Sequence, residues 1–429
     1  MIARAGMLSA AIVVTACHRA PPSPAVAEAG DSTPAPEASS QPKPAVVPAR
    51  CKTTEVGFPL DDGRALDDLE IGDALAYPGG IVIDIVHRSA AGRVAALAML
   101  PPDASSIRVR DLGPTLGDAP PPRVAVRGAD LLAASYVLGK RPDSREIDVV
   151  AISPSGDVRP AGAVIEQRDD SLAFDVAPGL IVWDEASAPS RRGVIRAAEL
   201  TADGHAAPGR DVSPADSDAE APRVVPRGSG YLVFWIARRP ESVATADASE
   251  ITGEAPANSW LEVIATDGHG QATGPVRRLT PASGHVTAFD VAPQQGLPGS
   301  RPEVLAVARD DGEAVDGSGG GILRLRVHDD GQDPPVAYTT DGLGRGAPGF
   351  VDATPPWLTW VALREETRVL PLDGTGAPLA LPSGEPELDD GRPLALLDVG
   401  KDAKGSRRML AAMPADPSLQ LRVLTCTVD

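Results

Sequence analysis

Histidine and cysteine are scarce in this chain, six and three among 429 residues. The histidines (His18, His87, His205, His269, His285 and His328) are scattered, and none has the i, i+4 or paired-cysteine spacing that metal coordination uses. His205 and His269 each follow an Asp-Gly turn, which predicts exposed loop positions. A G-x-S-x-G nucleophile elbow is missing, as are a phosphate-cradling P-loop and a dinucleotide fingerprint. The acidic stretches Asp310-Asp311-Gly312 and Asp329-Asp330-Gly331 lack the ligand spacing and closing glutamate of an EF-hand loop. The expectation is therefore a protein with no cofactor, no metal and no catalytic motif. Basic residues are also in deficit, 40 Lys and Arg against 59 Asp and Glu. The resulting net charge of −19 argues against binding nucleic-acid backbones or adsorbing on anionic lipid.

What is present begins at the N-terminus, MIARAGMLSAAIVVTAC. One positive charge, Arg4, precedes an apolar run from Ala5 to Val14, too short for a helix to cross a hydrocarbon core of roughly 30 Å. It suits the apolar region of a secretory signal. The last four residues, Val14-Thr15-Ala16-Cys17, resemble the lipobox of bacterial lipoproteins. That resemblance implies cleavage before Cys17, a diacylglycerol on its thiol and acylation of the new amine. Several acyl chains together give stable anchoring. His18 rather than Asp follows the cysteine, which by the same resemblance favours the outer membrane over the inner. An ordinary signal peptide with a fortuitous cysteine is the alternative. From Ala20 to Arg50 the chain is Pro, Ala, Ser and Glu with almost no large apolar residue, which predicts a disordered tether. The expected division is thus signal 1–16, lipidated cysteine and tether 17–50, and one folded domain 51–429.

With Cys17 assigned to lipid, Cys51 and Cys426 remain at the two ends of the folded region. An oxidising compartment would let them pair. Closing so long a loop is worth at most about 5–6 kcal/mol. Two buried free thiols are the alternative.

Internal repetition fixes the expected fold. AFDVAP occurs at Ala173–Pro178 and again at Ala288–Pro293. PRV followed by RG at the same offset occurs at Pro122–Gly128 and Pro222–Gly228. Seven β-rich runs end in Asp-, Gly- or Pro-containing turns, beginning with VAALAML, IDVVAIS, GVIRAAEL and WLEVIAT and continuing with ILRLRVH, TRVLPL and RMLAAM. Each is preceded by another apolar strand, GIVIDIV, DLLAASYV, GLIVWDEA, GYLVFWIA, EVLAVA, WLTWVAL or RPLALLDV. Asp-Gly between apolar runs is a strong hairpin signal, because glycine accepts the positive φ of a tight turn. Shorter runs lie before and weaker ones after, so each unit reads as four antiparallel strands. The expectation is an all-β single β-propeller, with seven four-stranded blades favoured and six or eight compatible. A propeller joins its first and last blades, which would bring Cys51 beside Cys426. The PRV string with its glycine turn and LVFW-type strand resembles propeller-repeat lipoproteins of GC-rich bacteria over most of Ala65–Asp429. That resemblance implies architecture and no activity. The Ser-x-Asp-x-Gly-x-x-Trp box of sialidase-type propellers is absent from all seven turns.

The innermost strands of a propeller line its channel. Alternation places Asp175 and Asp290 opposite their flanking Phe and Val side chains, and puts Arg123 with Arg127, and Arg223 with Arg227, on one face. Asp175, Asp290, Arg127 and Arg227 are thus candidate ligand-binding residues, the alternative being a self-neutralising channel wall. Long loops at Pro240–Asn258 and Asp310–Gly320, with Asp169-Asp170 and Asp216–Glu220 between units, predict one enlarged acidic rim. The reading that follows is a monomeric, membrane-anchored recognition scaffold presenting that rim to an envelope protein or glycan. The runner-up is a carbohydrate-active enzyme using Asp175 and Asp290 as acid and base. A purely structural envelope protein is the third.

Overall fold

Residues 49–428 are described by a computed structural model, except 64, 103–105, 139–144, 168–172, 188–191, 202–204, 239–257, 295–302, 312–320, 329–330, 333–334, 339–350, 356, 362–366, 373–378, 380–386, 389–394 and 416–417. The expected signal, Cys17 and most of the tether lie outside the described residues, as do the Asp169-Asp170 pair and most of both long loops. Val46–Asp429 forms one compact unit. Among the described residues there is no helix, and none therefore long and apolar enough to cross a membrane.

The chain enters on β1 (Ala49–Val56) and then lays down strands in groups of four. The first group is β2 (Asp67–Tyr77), β3 (Gly80–Ser89), β4 (Gly92–Leu100) and β5 (Arg108–Pro114). The next is β6 (Arg123–Arg127), β7 (Asp130–Leu138), β8 (Arg145–Ile152) and β9 (Val158–Gln167). Then come β10 (Phe174–Ala177), β11 (Leu180–Ser187), β12 (Arg192–Glu199) and β13 (Arg210–Asp211). They are followed by β14 (Asp218–Arg227), β15 (Gly230–Arg238), β16 (Ser259–Thr266) and β17 (Arg277–Arg278). The fifth group is β18 (Val286–Gln294), β19 (Glu303–Asp310), β20 (Gly321–Val327) and β21 (Val336–Tyr338). The sixth is β22 (Val351–Thr354), β23 (Trp357–Val361), β24 (Thr367–Pro371) and β25 (Glu387–Leu388). Last are β26 (Ala395–Lys401), β27 (Arg407–Ala415) and β28 (Ser418–Val428), beside which β1 pairs as the fourth strand. Hydrogen bonding thus sorts the strands into seven antiparallel four-stranded sheets.

The first strands of successive sheets, β2, β6, β10, β14, β18, β22 and β26, neighbour one another in chain order, and β26 returns to β2. The expected all-β propeller is the observed architecture. Its core is divided accordingly. Buried apolar residues form separate clusters, each filling the space between two adjacent sheets, such as Phe174, Trp183, Tyr136 and Ile147 between the second and third. This division explains the apolar density of the second strands: each is covered on both faces, so β3 runs Val-Ile-Asp-Ile-Val-His through six consecutive buried residues, Val82 to His87. Fourth strands lie outermost with one neighbour, and β13, β17 and β25 shrink to two residues each.

Closure differs in one detail from the sequence reading, which took RPLALLDV and RMLAAM as the second and third strands of the last unit. They are its first and second, β26 and β27, with β28 third. The last sheet needs only three strands from the C-terminal side because β1 supplies the outermost. Cys51 and Cys426 face each other in the β1–β28 register and form a disulfide that spans 375 residues of sequence.

Both repeated strings acquire a structural meaning. In PRV…RG the glycine sits in the hairpin turn after the innermost strand, with φ of +65° at Gly128 and +55° at Gly228. An L side chain is disfavoured there by about 1–2 kcal/mol. In AFDVAP the phenylalanine is buried between sheets and the aspartate reaches across to the next innermost strand.

Candidate functional site

A cavity of about 360 Å³ opens where the innermost strands begin. Three of those strands depart from regular pairing at the cavity wall. Register shifts fall between Ile71 and Ala74 in β2, Glu220 and Arg223 in β14, and Val286 and Ala288 in β18. Ile71, Gly72, Asp73, Ala221, Arg223, Thr287 and Ala288 all line the cavity. Bulges bend a strand and re-aim its side chains, and they concentrate next to functional sites. The shift in β26 lies instead at its hairpin end, between Asp398 and Lys401.

Buried carboxyls hold these irregular backbones. Asp84 on β3 accepts a hydrogen bond from the Asp73 amide at 3.0 Å. Asp184 on β11 accepts one from the Ala221 amide at 2.9 Å, and Ala221 carries a φ of +53°. Asp310 on β19 accepts one from the His285 amide at 2.8 Å, immediately before the third bulge. A Cβ on Gly72 would lie 2.5 Å from the Asp84 carboxylate and 2.9 Å from the Pro121 ring, so only glycine fits beneath that contact. Burial pushes the Asp84 pKa well above the usual carboxylate range. Burial likewise raises Asp184 to about 6, against the opposing hydrogen bond from Ala221.

Charged side chains alternate in sign around the mouth. In ring order they are Asp73, Arg123, Asp175, Arg223 and Asp290. Arg123 hydrogen-bonds Asp73. Asp175 accepts amide hydrogen bonds from Val176 at 2.9 Å and from Val224 on the next innermost strand at 2.8 Å. Its pKa is raised by burial, an effect that the nearby Arg223 and Arg123 partly offset. Asp290 makes the same cross-strand bond as Asp175, accepting from the Ala353 amide at 2.8 Å. Its other oxygen lies 3.7 Å from Arg223 Nε. Apolar surface from Ile71, Ile236, Phe289 and Val351 completes the cavity.

The structure therefore gathers two of the four sequence candidates near this mouth and separates the other two. Asp290 lines the cavity and Asp175 lies beside it, coupled to both arginines. Arg127 and Arg227 end their strands at the hairpin turns on the opposite face. Arg127 donates to the Thr201 carbonyl at 3.1 Å, bridging adjacent sheets. The arginines at the cavity are Arg123 and Arg223, which the alternation argument placed on the same strand face without separating the two ends. Asp73 gave no signal in the sequence, since the β2 segment carries no repeated string, and the repeated strings of β14 and β18 do not show the bulges at their starts.

Both long loops leave from the cavity-bearing face. Arg238, where the chain departs β15, pairs with Asp218 and Ser259, and Asp310 on β19 pairs with Val286 and Gly321. Asp218 and Glu220 are engaged in structure on that rim. Asp218 accepts from the Gly193 amide at 2.7 Å, and Glu220 pairs with Arg238. His205 and His269 are exposed on loops, with His269 Nδ1 2.8 Å from Glu199. Among the described residues no three His, Cys, Asp or Glu side chains are grouped to hold a metal ion.

The sequence matches no protein-family profile and no curated protein. Solved structures do resemble the fold. The β-propeller domain of the Trilobed protease from Pyrococcus furiosus aligns with a TM-score of 0.44 at 9% identity, over 84% of this chain and 94% of that one. Trypanosoma rangeli sialidase aligns with a TM-score of 0.42 at 10% identity, over 87% of this chain and 59% of that one. An α-L-arabinofuranosidase from Fusarium graminearum gives a TM-score of 0.42 at 10% identity, over 88% and 97%.

Proposed function

We propose that this protein is an exported lipoprotein, held to a bacterial membrane by a lipid on Cys17, whose propeller serves recognition of an envelope protein or glycan. In this reading each sheet is one blade, and the grouping into seven sheets supports a seven-bladed ring. The observation that carries the function is the state of the mouth carboxylates. Asp175 has both oxygens committed to backbone amides, and Asp290 has one so committed with Arg223 beside the other. Such groups shape and charge a binding surface but are poorly placed to exchange protons with a substrate. The His18 residue after the lipidated cysteine supports an outer-membrane destination.

A carbohydrate-active enzyme is the second reading, and the raised pKa of Asp175 favours it, since general acids are tuned upward by burial. Against it, the proton on Asp175 would have to leave through a carboxyl already hydrogen-bonded twice.

Mild crosslinking in the native cells, on wild type, Cys17→Ser and a variant lacking residues 240–258, tests the proposal. Wild type should sediment with membranes through a high-salt wash and capture a stoichiometric envelope protein or glycan. Cys17→Ser should appear in the soluble fraction, and the loop deletion should lose the partner. Membrane retention of Cys17→Ser would overturn the anchor, and a wild-type protein that captures nothing would overturn the partner.

A further inference from the structure

We infer that the cavity at the channel mouth binds a small zwitterion with an apolar body, of amino-acid to dipeptide size. The inference rests on reading this face as a binding surface and names the chemistry of its deepest part. A volume of about 360 Å³ falls in the size range of small-molecule sites. Its charged lining consists of two ion pairs, Arg123 with Asp73 and Arg223 with Asp290, which sum to zero. A simple anion brought here would meet two carboxylates, and a simple cation would meet two guanidiniums. An uncharged polyol would neutralise neither sign. A zwitterion satisfies both, and its zero net charge leaves it indifferent to the −19 of the whole chain.

One of the two pairs is built to receive it. Arg123 and Asp73 are hydrogen-bonded to each other. Arg223 Nε and Asp290 Oδ1 stand 3.7 Å apart, too far for a hydrogen bond, and that Nε donates to nothing else. The pair is about four-fifths buried on each side, where a poorly matched ion pair recovers little of its desolvation cost. Both partners are nonetheless fixed: Arg223 donates to the Pro222 carbonyl at 3.1 Å, and Asp290 accepts from the Ala353 amide at 2.8 Å. Asp175 adds its field to hold Arg223 but offers no oxygen free of amides. A ligand carboxylate on Arg223 and a ligand ammonium on Asp290 would complete two charge-assisted contacts now unmade. Ile71, Ile236, Phe289 and Val351 then face the ligand body, which selects an apolar one.

The test is isothermal titration of the full-length protein in detergent with L-leucine, L-phenylalanine and the dipeptide Leu-Leu, each beside its N-acetyl and amide forms, and with glucuronate. At least one free zwitterion should bind saturably, and blocking either terminus should weaken it about tenfold or more. Arg223→Gln should erase the penalty for amidation, and Asp290→Asn the penalty for acetylation. The blocked ligands read the same chemistry on unaltered protein, so the outcome does not depend on the variants folding. No saturable binding of any free zwitterion, or equal binding of the blocked forms, overturns the inference. Preferential binding of glucuronate also overturns it while leaving the face a binding surface. Saturable zwitterion binding with no partner captured in cells would instead keep this inference and sink the partner.

Discussion

The two faces of this propeller are built by opposite rules. On the hairpin face the innermost strands turn tightly. Gly128 and Gly228 occupy the same left-handed position, and Arg127 ties one sheet to the next through the Thr201 carbonyl. The second and fourth sheets meet the same turn problem with the same glycine, whereas the first and third turn through Pro78-Gly79 and Pro178-Gly179. On the mouth face three strands bulge, a non-glycine residue, Ala221, takes a left-handed conformation, and buried aspartates hold the distorted amides. Nothing in ring closure requires those bulges, since β6, β10 and β22 pair with their second strands without any. Three bulged innermost strands converge on the wall of one cavity, and that concentration is the difference that marks the mouth as the working face.

Three measurements sharpen or break that contrast. The largest effect belongs to the seam both faces share. Reducing Cys51–Cys426 should lower unfolding free energy by about 2–5 kcal/mol in a denaturant titration, since the bond closes a long loop. An unchanged midpoint would mean that β1 pairing alone closes the ring.

The second effect is confined to the mouth. Asp184 is raised to about 6 in the fold, above its unfolded value, so the native state binds the extra proton as pH falls through that window. Stability should therefore decline as pH rises from about 4 to 6, by up to about 3 kcal/mol from this group. Burial shifts Asp84 and Asp175 in the same direction. Asp184→Asn keeps an acceptor for the Ala221 amide and should flatten that decline. A variant with the wild-type slope would show that the strain at the mouth is not held by this carboxyl.

The smallest effects form a mirrored pair. Gly228→Ala places a side chain at φ +55° with open space around it, and should cost about 1 kcal/mol through backbone strain alone. Ala221→Gly relieves a left-handed alanine at φ +53°, and should be neutral or slightly stabilising despite glycine's greater unfolded-state entropy. Equal destabilisation by both, read from thermal melts, would remove the claim that strain is stored at the mouth.

Much of the fold was legible because repetition survives in the residues that solve repeated problems. The glycine of PRV…RG marks the hairpin, and the aspartate of AFDVAP marks a bond to the next innermost strand. The terminal cysteines announced the seam where β1 joins β28. The strand order of the last unit was misread, because nothing local shows that its outermost strand comes from the far end of the chain. The site was only half legible. Asp175 and Asp290 stand out as repeated, whereas Asp73 sits in an unrepeated segment, and Asp84 and Asp184 look like polar interruptions in apolar second strands.

By itself, the sequence determined that this protein is all-β and built of repeated four-stranded units, with two cysteines placed to fasten its ends. Those properties follow from local turn chemistry, alternation and two cysteines. Tertiary structure alone decided which charges share the mouth. Arg123 and Arg127 are four residues apart on one strand, yet only Arg123 lies at the cavity, because the ring sends the two ends of every innermost strand to opposite faces. The cavity likewise depends on bulges held by carboxyls from other strands, a bond between distant residues that no local pattern encodes.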